Sequence, residues 1–403
     1  MTERSKRDAE FLLRNAVESL PEGDLERKLA LGRPLRVKLG IDPSAPDVHL
    51  GHTVVLQKLR EFQDLGHTVV LIIGDYTARV GDPSGRSAMR PQLAPEEVER
   101  NAETYRQQAF KVLDPDRTEL RRNGEWLDMP MEDLFALART ATVAQLLERD
   151  DFAKRYAGGD PISILELLYP LLQGYDSVAV RADVELGGTD QKFNLLLGRE
   201  IQSSYGVPPQ ALLTMPILPG TDGVRRMSKS LANYVGVTDP PDEMFGKLMR
   251  VPDIAMPIYY ELLVESEPEP GLEPVAQKRW LAGELTARFR GREAAAEAEA
   301  DFDRLHVERR PPKELEEAAL PPEDPVHLPA LIAEAFGVSR AQARRLLAQG
   351  GVRLDGEPLA SDELDLPAER LDGAVLQVGK RRFKRLQACA DAPASSDPVG
   401  PQG

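Results

Sequence analysis

Apolar side chains in the first part of the chain alternate between two periods. Arg36-Val37-Lys38-Leu39-Gly40 reads as a short strand, and Thr68 to Ile73, with its unbroken Val-Val-Leu-Ile-Ile run, as a buried one. Between them Val54, Val55, Leu56, Leu59, Phe62 and Leu65 recur at helical spacing, and Gly66 supplies the stop. Strand, helix, strand predicts a right-handed βαβ unit in a parallel sheet. From about residue 241 to 310 the pattern turns helical, ending in the Ala/Glu-rich stretch Glu293 to Asp301. Pro311, Pro312, Pro321, Pro322 and Pro325 then mark a linker. Beyond it, Leu328 to Phe336 reads as a short helix closed by Gly337, and Ser339 with Gln342 as the capping box of a second helix ending at Gln349. Val352-Arg353-Leu354 followed by Asp355-Gly356 opens a hairpin. After Ala390 the sequence is too polar and Pro-rich to pack, and a disordered tail is expected. The expected organisation is therefore an α/β parallel-sheet domain over 1–240, a helical domain and linker over 241–325, a small α+β domain over 326–390 and a tail over 391–403.

A length of 403 residues fits about two to three domains. The single cysteine, Cys389, excludes a disulfide framework or a cysteine-built zinc site within one chain. No apolar run approaches the roughly 18 residues of a membrane span. The charged start Met1 to Arg7 does not resemble a signal peptide, so a cytoplasmic protein without membrane contact is expected. The net charge of -15 argues against nucleic acid until its distribution is read. Val326 to Ala388 carries ten Lys/Arg against eight Asp/Glu, so the acidity lies almost wholly before it. A slightly basic module on an acidic body can still bind RNA, because screening makes nearby charges count most.

Two constellations could carry chemistry. His49-Leu50-Gly51-His52 sits between the first strand and its helix, at the carboxyl end of a parallel strand, where open α/β sheets bind ligands. The helix N-terminus offers unpaired N–H groups to a phosphate, each imidazole can donate to a phosphate oxygen, and Gly51 leaves room for a flat purine. By itself the pair reads equally as two first-turn histidines without a role. A zinc site is disfavoured, since no further ligands cluster nearby. The second constellation, Arg225-Arg226-Met227-Ser228-Lys229-Ser230 after Pro219-Gly220-Thr221-Asp222-Gly223, is glycine-rich, hydroxyl-bearing and basic. It reads as a mobile loop able to close over an anion, or as a solvated loop.

Together, in that order, the two resemble the HIGH and KMSKS signatures of class I aminoacyl-tRNA synthetases. The text between them is similar to the tyrosyl-tRNA synthetases: Gly40-Ile41-Asp42-Pro43-Ser44-Ala45-Pro46, Gly81-Asp82-Pro83-Ser84-Gly85-Arg86, Tyr169-Pro170-Leu171-Leu172-Gln173-Gly174-Tyr175-Asp176 and Glu185-Leu186-Gly187-Gly188-Thr189-Asp190-Gln191. The resemblance covers residues 5 to 388. It implies a Rossmann-like catalytic domain and the ligation of tyrosine to tRNA(Tyr) at the expense of ATP, with Mg2+ and no tightly bound cofactor. His49, His52, Arg226 and Lys229 would be catalytic, and Arg226 stands where the family more often has lysine. Gly40, Asp42, Gly51, Gly188, Asp190, Met227, Ser228 and Ser230 would join His49, His52 and Lys229 around ATP. Asp82, Tyr169 and Gln173 would hold the α-ammonium of tyrosine, Asp176 its phenol, and Gln191 would lie near its carboxylate. Lys38 stands where the commoner bacterial subtype has a tyrosine, so no second phenol contact is assigned.

The C-terminal module resembles an S4 RNA-binding domain, with Arg340, Arg344, Arg345, Lys380, Arg381, Arg382, Lys384 and Arg385 as phosphate contacts. The family is dimeric, so a homodimer is implied. Three rivals stand beside this reading: a tryptophanyl enzyme of the same fold, a nucleotidyltransferase acting on a small acid without RNA, and an RNA-binding paralogue without catalysis.

Overall fold

Central parallel strands are buried on both faces, and one of them here, Thr68–Ile73, is built wholly of β-branched residues and leucine. In the computed structural model, which describes residues 2–44, 46–84, 94–264, 271–308, 315–379 and 382–388, six strands form the first sheet. They are β1 (Glu18–Leu20), β2 (Arg36–Ile41), β3 (Thr68–Ile73), β4 (Thr118–Arg122), β5 (Val184–Gly188) and β6 (Ala211–Met215), in the order β1-β6-β5-β2-β3-β4. β2 to β6 are parallel, with Arg36 opposite Thr68 and Lys38 opposite Glu185, whereas β1 runs antiparallel against β6. The sheet is thus mixed rather than wholly parallel. The edge strand was not legible because three residues of mixed character, Glu-Ser-Leu, carry no alternation.

Helix α1 (Leu50–Asp64) crosses from β2 to β3 and buries Val54, Leu56, Leu59 and Phe62. It ends as the spacing predicts, with Gly66 at φ 91°. Three further helices matter for the site: α2 (Pro95–Ala109), α3 (Ile164–Ala179) and α4 (Lys192–Ser204). α3 starts on a full capping box, Ser163 with Glu166. It packs on α4 where Gly174 meets Gly198, and a Cβ on Gly174 would lie 2.5 Å from the Ile201 side chain and 3.1 Å from the Gly198 backbone. Helices Pro241–Leu248, Met256–Leu263 and Pro274–Arg290 follow.

The chain divides into two compact units, residues 1–292 and 293–403. The second contains α5 (Leu328–Phe336), closed by Gly337, and α6 (Arg340–Ala348), whose N-cap Ser339 accepts from the Gln342 N–H. Its strands are β7 (Glu317–Ala319), β8 (Val326–His327), β9 (Val352–Leu354), β10 (Glu357–Pro358), β11 (Asp365–Leu366), β12 (Val375–Val378) and β13 (Arg382–Gln387). Five of them form a sheet in the order β10-β9-β12-β13-β7, and β8 pairs with β11. Asp355 and Gly356, both at positive φ, make the expected tight hairpin between β9 and β10. Leu328, Leu331, Ile332, Ala343, Leu347, Leu376 and Leu386 form this unit's core. Lys380, Arg381 and the stretch 391–403 lie outside the described residues.

Candidate active site

From β2 the chain winds to β3 and β4 on one side, and β5 and β6 lie on the other, so the connections diverge between β2 and β5. A crevice opens at the carboxyl ends of strands at such a switch point. Here it is a cavity of about 420 Å³. Every residue that the sequence points to for catalysis, ATP and tyrosine lines it, from Gly40 and Asp42 through the two histidines to Ser230.

His49 is the N-cap of α1, in extended conformation. Its Nδ1 accepts the Gly51 N–H at 3.2 Å, and the His52 Nδ1 accepts the His49 N–H at 3.2 Å. A neutral ring whose Nδ1 accepts carries its hydrogen on Nε2, so both side chains are fixed as Nε2–H donors. The rings lie 3.9 Å apart at 36°. Desolvation, then the nearby His52 and Lys229, push His49 down to about 2, and desolvation pushes His52 down to about 4, so both are neutral at physiological pH. Gly51 has a more immediate role than room for a purine. A Cβ there would meet the His49 ring at 3.0 Å, so the glycine permits the histidine pair to form.

The basic loop is tied over this helix end. Leu50 N–H donates to the Val235 carbonyl at 3.0 Å and Val237 N–H to that of Val48 at 3.0 Å, which zips the segment after the loop to the segment bearing His49. Within the loop, buried Asn233 accepts the Ser228 N–H at 2.9 Å and donates to Asp222 at 3.0 Å and to the Arg226 carbonyl at 3.1 Å. Gly220 passes so close that a Cβ would collide with Asn233. Two of the loop's three cations meet carboxylates across the cavity: Lys229 pairs with Asp47, and Arg226 reaches Asp190 at 3.5 Å. The Asp190 carboxyl is raised, chiefly by desolvation and then by Asp82, while Arg226 opposes the rise.

The other end of the cavity is built on α3. Tyr169 OH donates to Asp42 at 2.9 Å, and Thr77 holds the second Asp42 oxygen at 2.7 Å. Gln173 Oε1 accepts from Asn194 at 2.9 Å. Gln191 donates to Asp82 at 3.0 Å and to Ser84 at 3.0 Å, and accepts from Asn194 at 3.0 Å. Buried Arg149 braces this cluster, donating to Ser84 at 2.6 Å and to Asn194 at 3.0 Å. Asp176 is buried, takes the Trp126 Nε1–H at 2.8 Å and lies 3.4 Å from Asn123 Nδ2. Burial raises its carboxyl to about 7, against the pull of Lys38. Lys38 is wholly buried, ion-paired with Glu185 at 2.6 Å.

Asp47, Asn123, Trp126, Arg149, Asn194 and Asn233 were not singled out from the sequence. Each is a lone polar or aromatic residue in unremarkable context, and only the fold brings Asp47 and Asn123 to the cavity and the other four against residues that line it. Arg340, Arg344, Arg345, Arg382, Lys384 and Arg385 belong to the second unit, where the three arginines of α6 are exposed. Lys384 pairs with Glu316 at 3.0 Å, and Arg382 lies over the Phe336 ring at 5.6 Å.

Residues 30–306 match the family model of the class I tRNA synthetases for tryptophan and tyrosine. A tyrosine–tRNA ligase of Thermotoga maritima is 51% identical over 389 residues, 93% of this chain and 96% of that protein. One of Moorella thermoacetica is 50% identical over 397 residues, 94% of this chain and 95% of that protein. The chain belongs to the tyrosyl-tRNA synthetases of class I. Among solved structures, the tyrosyl-tRNA synthetase of Archaeoglobus fulgidus complexed with L-tyrosine superposes at a TM-score of 0.62 with 23% identity, over 73% of this chain and 99% of that one. A C-terminally truncated mitochondrial tyrosyl-tRNA synthetase of Aspergillus nidulans gives 0.62 with 22% identity, over 76% and 100%. At that identity the two structures speak for the fold alone.

Proposed function

We propose that the cavity at the ends of β2 and β5 is where this ligase joins tyrosine to ATP before tyrosine is charged onto tRNA. The observation that carries the assignment is the pairing of two kinds of group in one cavity. A pair of neutral imidazoles at a helix N-terminus stands at one end, and a buried carboxylate at the other. In the first step the tyrosine carboxylate attacks the α-phosphorus, the bond to the bridging oxygen breaks, and pyrophosphate leaves. A carboxylate is already ionised, so the step needs no general base, and positioning with charge stabilisation does the work. His49 and His52 donate through Nε2 to the α-phosphate oxygens as charge builds there. Lys229 and Arg226 exchange Asp47 and Asp190 for the pyrophosphate.

Asp176 accepts the substrate phenol, and a phenylalanine would leave that buried acceptor without its donor. Tyr169, Gln173 and Asp82 take the α-ammonium. The Tyr169 hydroxyl donates to Asp42, so its oxygen can accept from a cation. Gln191 lies by the substrate carboxylate and Asp190 by the ribose, while Gly40, Asp42, Gly51, Gly188, Met227, Ser228 and Ser230 line the nucleotide side. Among the described residues no group of three or more His, Cys, Asp or Glu is arranged to hold a metal ion, so Mg2+ is assigned to the ATP phosphates as part of the substrate.

In the second step the tyrosyl group passes to the 3′-terminal adenosine of tRNA(Tyr). The exposed Arg340, Arg344 and Arg345 support an S4-like RNA-binding role for residues 326–390. Exposed Met131, Phe135, Val143, Tyr156 and Ile164, all within 131–164, support burial of that stretch in a homodimer. No helix among the described residues is long and apolar enough to cross a membrane.

Amino-acid-dependent ATP–pyrophosphate exchange, run with tyrosine, phenylalanine and tryptophan in parallel, tests the site. Exchange with tyrosine alone is expected. Exchange with tryptophan would overturn the assignment of Asp176, and tRNA binding without any exchange would mean that the cavity is not catalytic.

A further inference from the structure

At the cavity floor lies a polar network, reaching the cavity at Glu185, that the reaction itself does not use. Lys38 on β2 stands in register with Glu185 on β5, and neither has an exposed side chain. The Lys38 ammonium spends its three donors on Glu185 Oε1 at 2.6 Å, Ser177 Oγ at 2.8 Å and the Gln173 carbonyl at 3.0 Å. Ser177 in turn donates to Glu185 Oε2 at 3.1 Å, and Gln210 donates to the same oxygen. Two charges taken fully out of water are weak support for a fold, because desolvation offsets their attraction and an apolar pair of the same volume does as well or better. Their placement points to another use. Gln173 and Ser177 flank Asp176 on α3, so one ammonium grips the helix on both sides of that carboxylate.

We infer that the Lys38–Glu185 pair is a positioning device for the phenol end of the cavity, fixing the α3 face that bears Asp176 and balancing the charge of its carboxylate. The inference rests on the reading of Asp176 as the phenol acceptor. The groups facing Asp176 are Lys38 from β2, Glu185 from β5, and the neutral donors Trp126 and Asn123 from the segment after β4. Lys38 favours the ionised carboxylate and Glu185 opposes it. Loss of Lys38 leaves two buried carboxylates served only by neutral donors. Loss of the Glu185 charge leaves the ammonium acting on Asp176 without its ion-pair partner. The two substitutions therefore push Asp176 in opposite directions, which a merely structural role would not do.

The test is equilibrium binding of tyrosine, without ATP, from pH 5.5 to 8.5 to the full chain and to Lys38→Met, Glu185→Gln, the double variant and Asp176→Asn. Leaving ATP out keeps the loop cations from entering the profile, any contribution of Asp190 is common to the parent and all variants, and His49 and His52 stay neutral throughout this range. Lys38→Met is expected to move the acid-side midpoint of binding upward by roughly one pH unit or more, and Glu185→Gln to move it downward. The double variant should lie nearer the parent than either single variant. In steady-state activation both single variants should raise KM for tyrosine and leave kcat within a few-fold. Shifts in the same direction, or a uniform loss of affinity with no shift, would overturn the inference. Should Lys38→Met not fold, the downward midpoint of Glu185→Gln and its return in the double variant decide the matter. Asp176→Asn separates the two ideas. If it discriminates tyrosine from phenylalanine as sharply as the parent does, the phenol reading fails. If it loses discrimination while the Lys38 and Glu185 variants leave the midpoint in place, the positioning role fails and the phenol reading stands.

Discussion

At the phosphate end of the cavity, charges meet at partly exposed contacts. Lys229 pairs with Asp47 and Arg226 approaches Asp190 across open space, and all four side chains keep more than a quarter of their surface. At the phenol end, Lys38, Glu185 and Asp176 are buried, and their charged groups are hydrogen-bonded to Ser177, Gln210 and Trp126. Cations that are wetted and loosely paired can change partners as a substrate arrives, because little free energy holds them where they are. A desolvated carboxylate cannot, because every change in its surroundings is felt through a low dielectric. One end is therefore suited to receiving charge as it develops, the other to deciding which side chain is admitted.

Four substitutions would sharpen or break this contrast. Lys229→Ala should have the largest effect. It removes a donor aimed at developing charge, so the single-turnover rate of adenylate formation should fall by about 10²- to 10³-fold, with tyrosine affinity nearly unchanged. An equal loss of both would erase the division between the two ends. Asp176→Asn should cost roughly 10- to 100-fold in kcat/KM for tyrosine, from a buried phenol facing an impaired acceptor. The same change should raise the melting temperature at pH 8. Because the folded carboxyl is held up to about 7, the folded chain keeps a proton between the ordinary carboxylate range and pH 7 that the unfolded chain has lost. Stability from this group is thus present at low pH and is lost as pH rises through that window, a loss the amide does not suffer.

Asn233→Ala should be smaller. It leaves the Ser228 N–H without its partner and removes one of the donors to the Asp222 carboxylate, and activation should slow several-fold with about 1–3 kcal/mol of stability lost, read by denaturant titration. Asp47→Ala should do least. It frees Lys229 from a partly exposed partner worth less than about 1 kcal/mol, so KM for ATP should fall by less than about fivefold, and the difference should fade in high salt. A large effect of Asp47→Ala would mean that this end is as rigid as the other.

The same division governs what could be read from the chain. β2, β3 and α1 were legible because their apolar periodicity is long, and the histidine pair because its position after a strand gives it a physical role. Both helices of the second unit were legible through Gly337 and Ser339. The floor of the phenol end was not. Periodicity places Lys38 in a short strand and says nothing of Glu185, and it cannot show that the two meet, since β2 and β5 are neighbours only through the crossover of the sheet. Trp126, Asn123 and Arg149 come singly from segments whose course depends on tertiary packing. Lys38 drew notice only as a departure from a related pattern, and the structure gives it partners instead of a substrate contact.

The close contact of Gly174 with Gly198 has a consequence for redesign of this enzyme toward unnatural amino acids. The helix bearing Gln173 and Asp176 has its back against α4 at Gly174, where a methyl group would press on the tip of Ile201 and crowd the Gly198 backbone. It cannot retreat to admit a bulkier substrate. Volume for a larger ring has to come from trimming side chains that face the cavity, and a side chain at Gly174 on the rear of α3 would first have to displace Ile201.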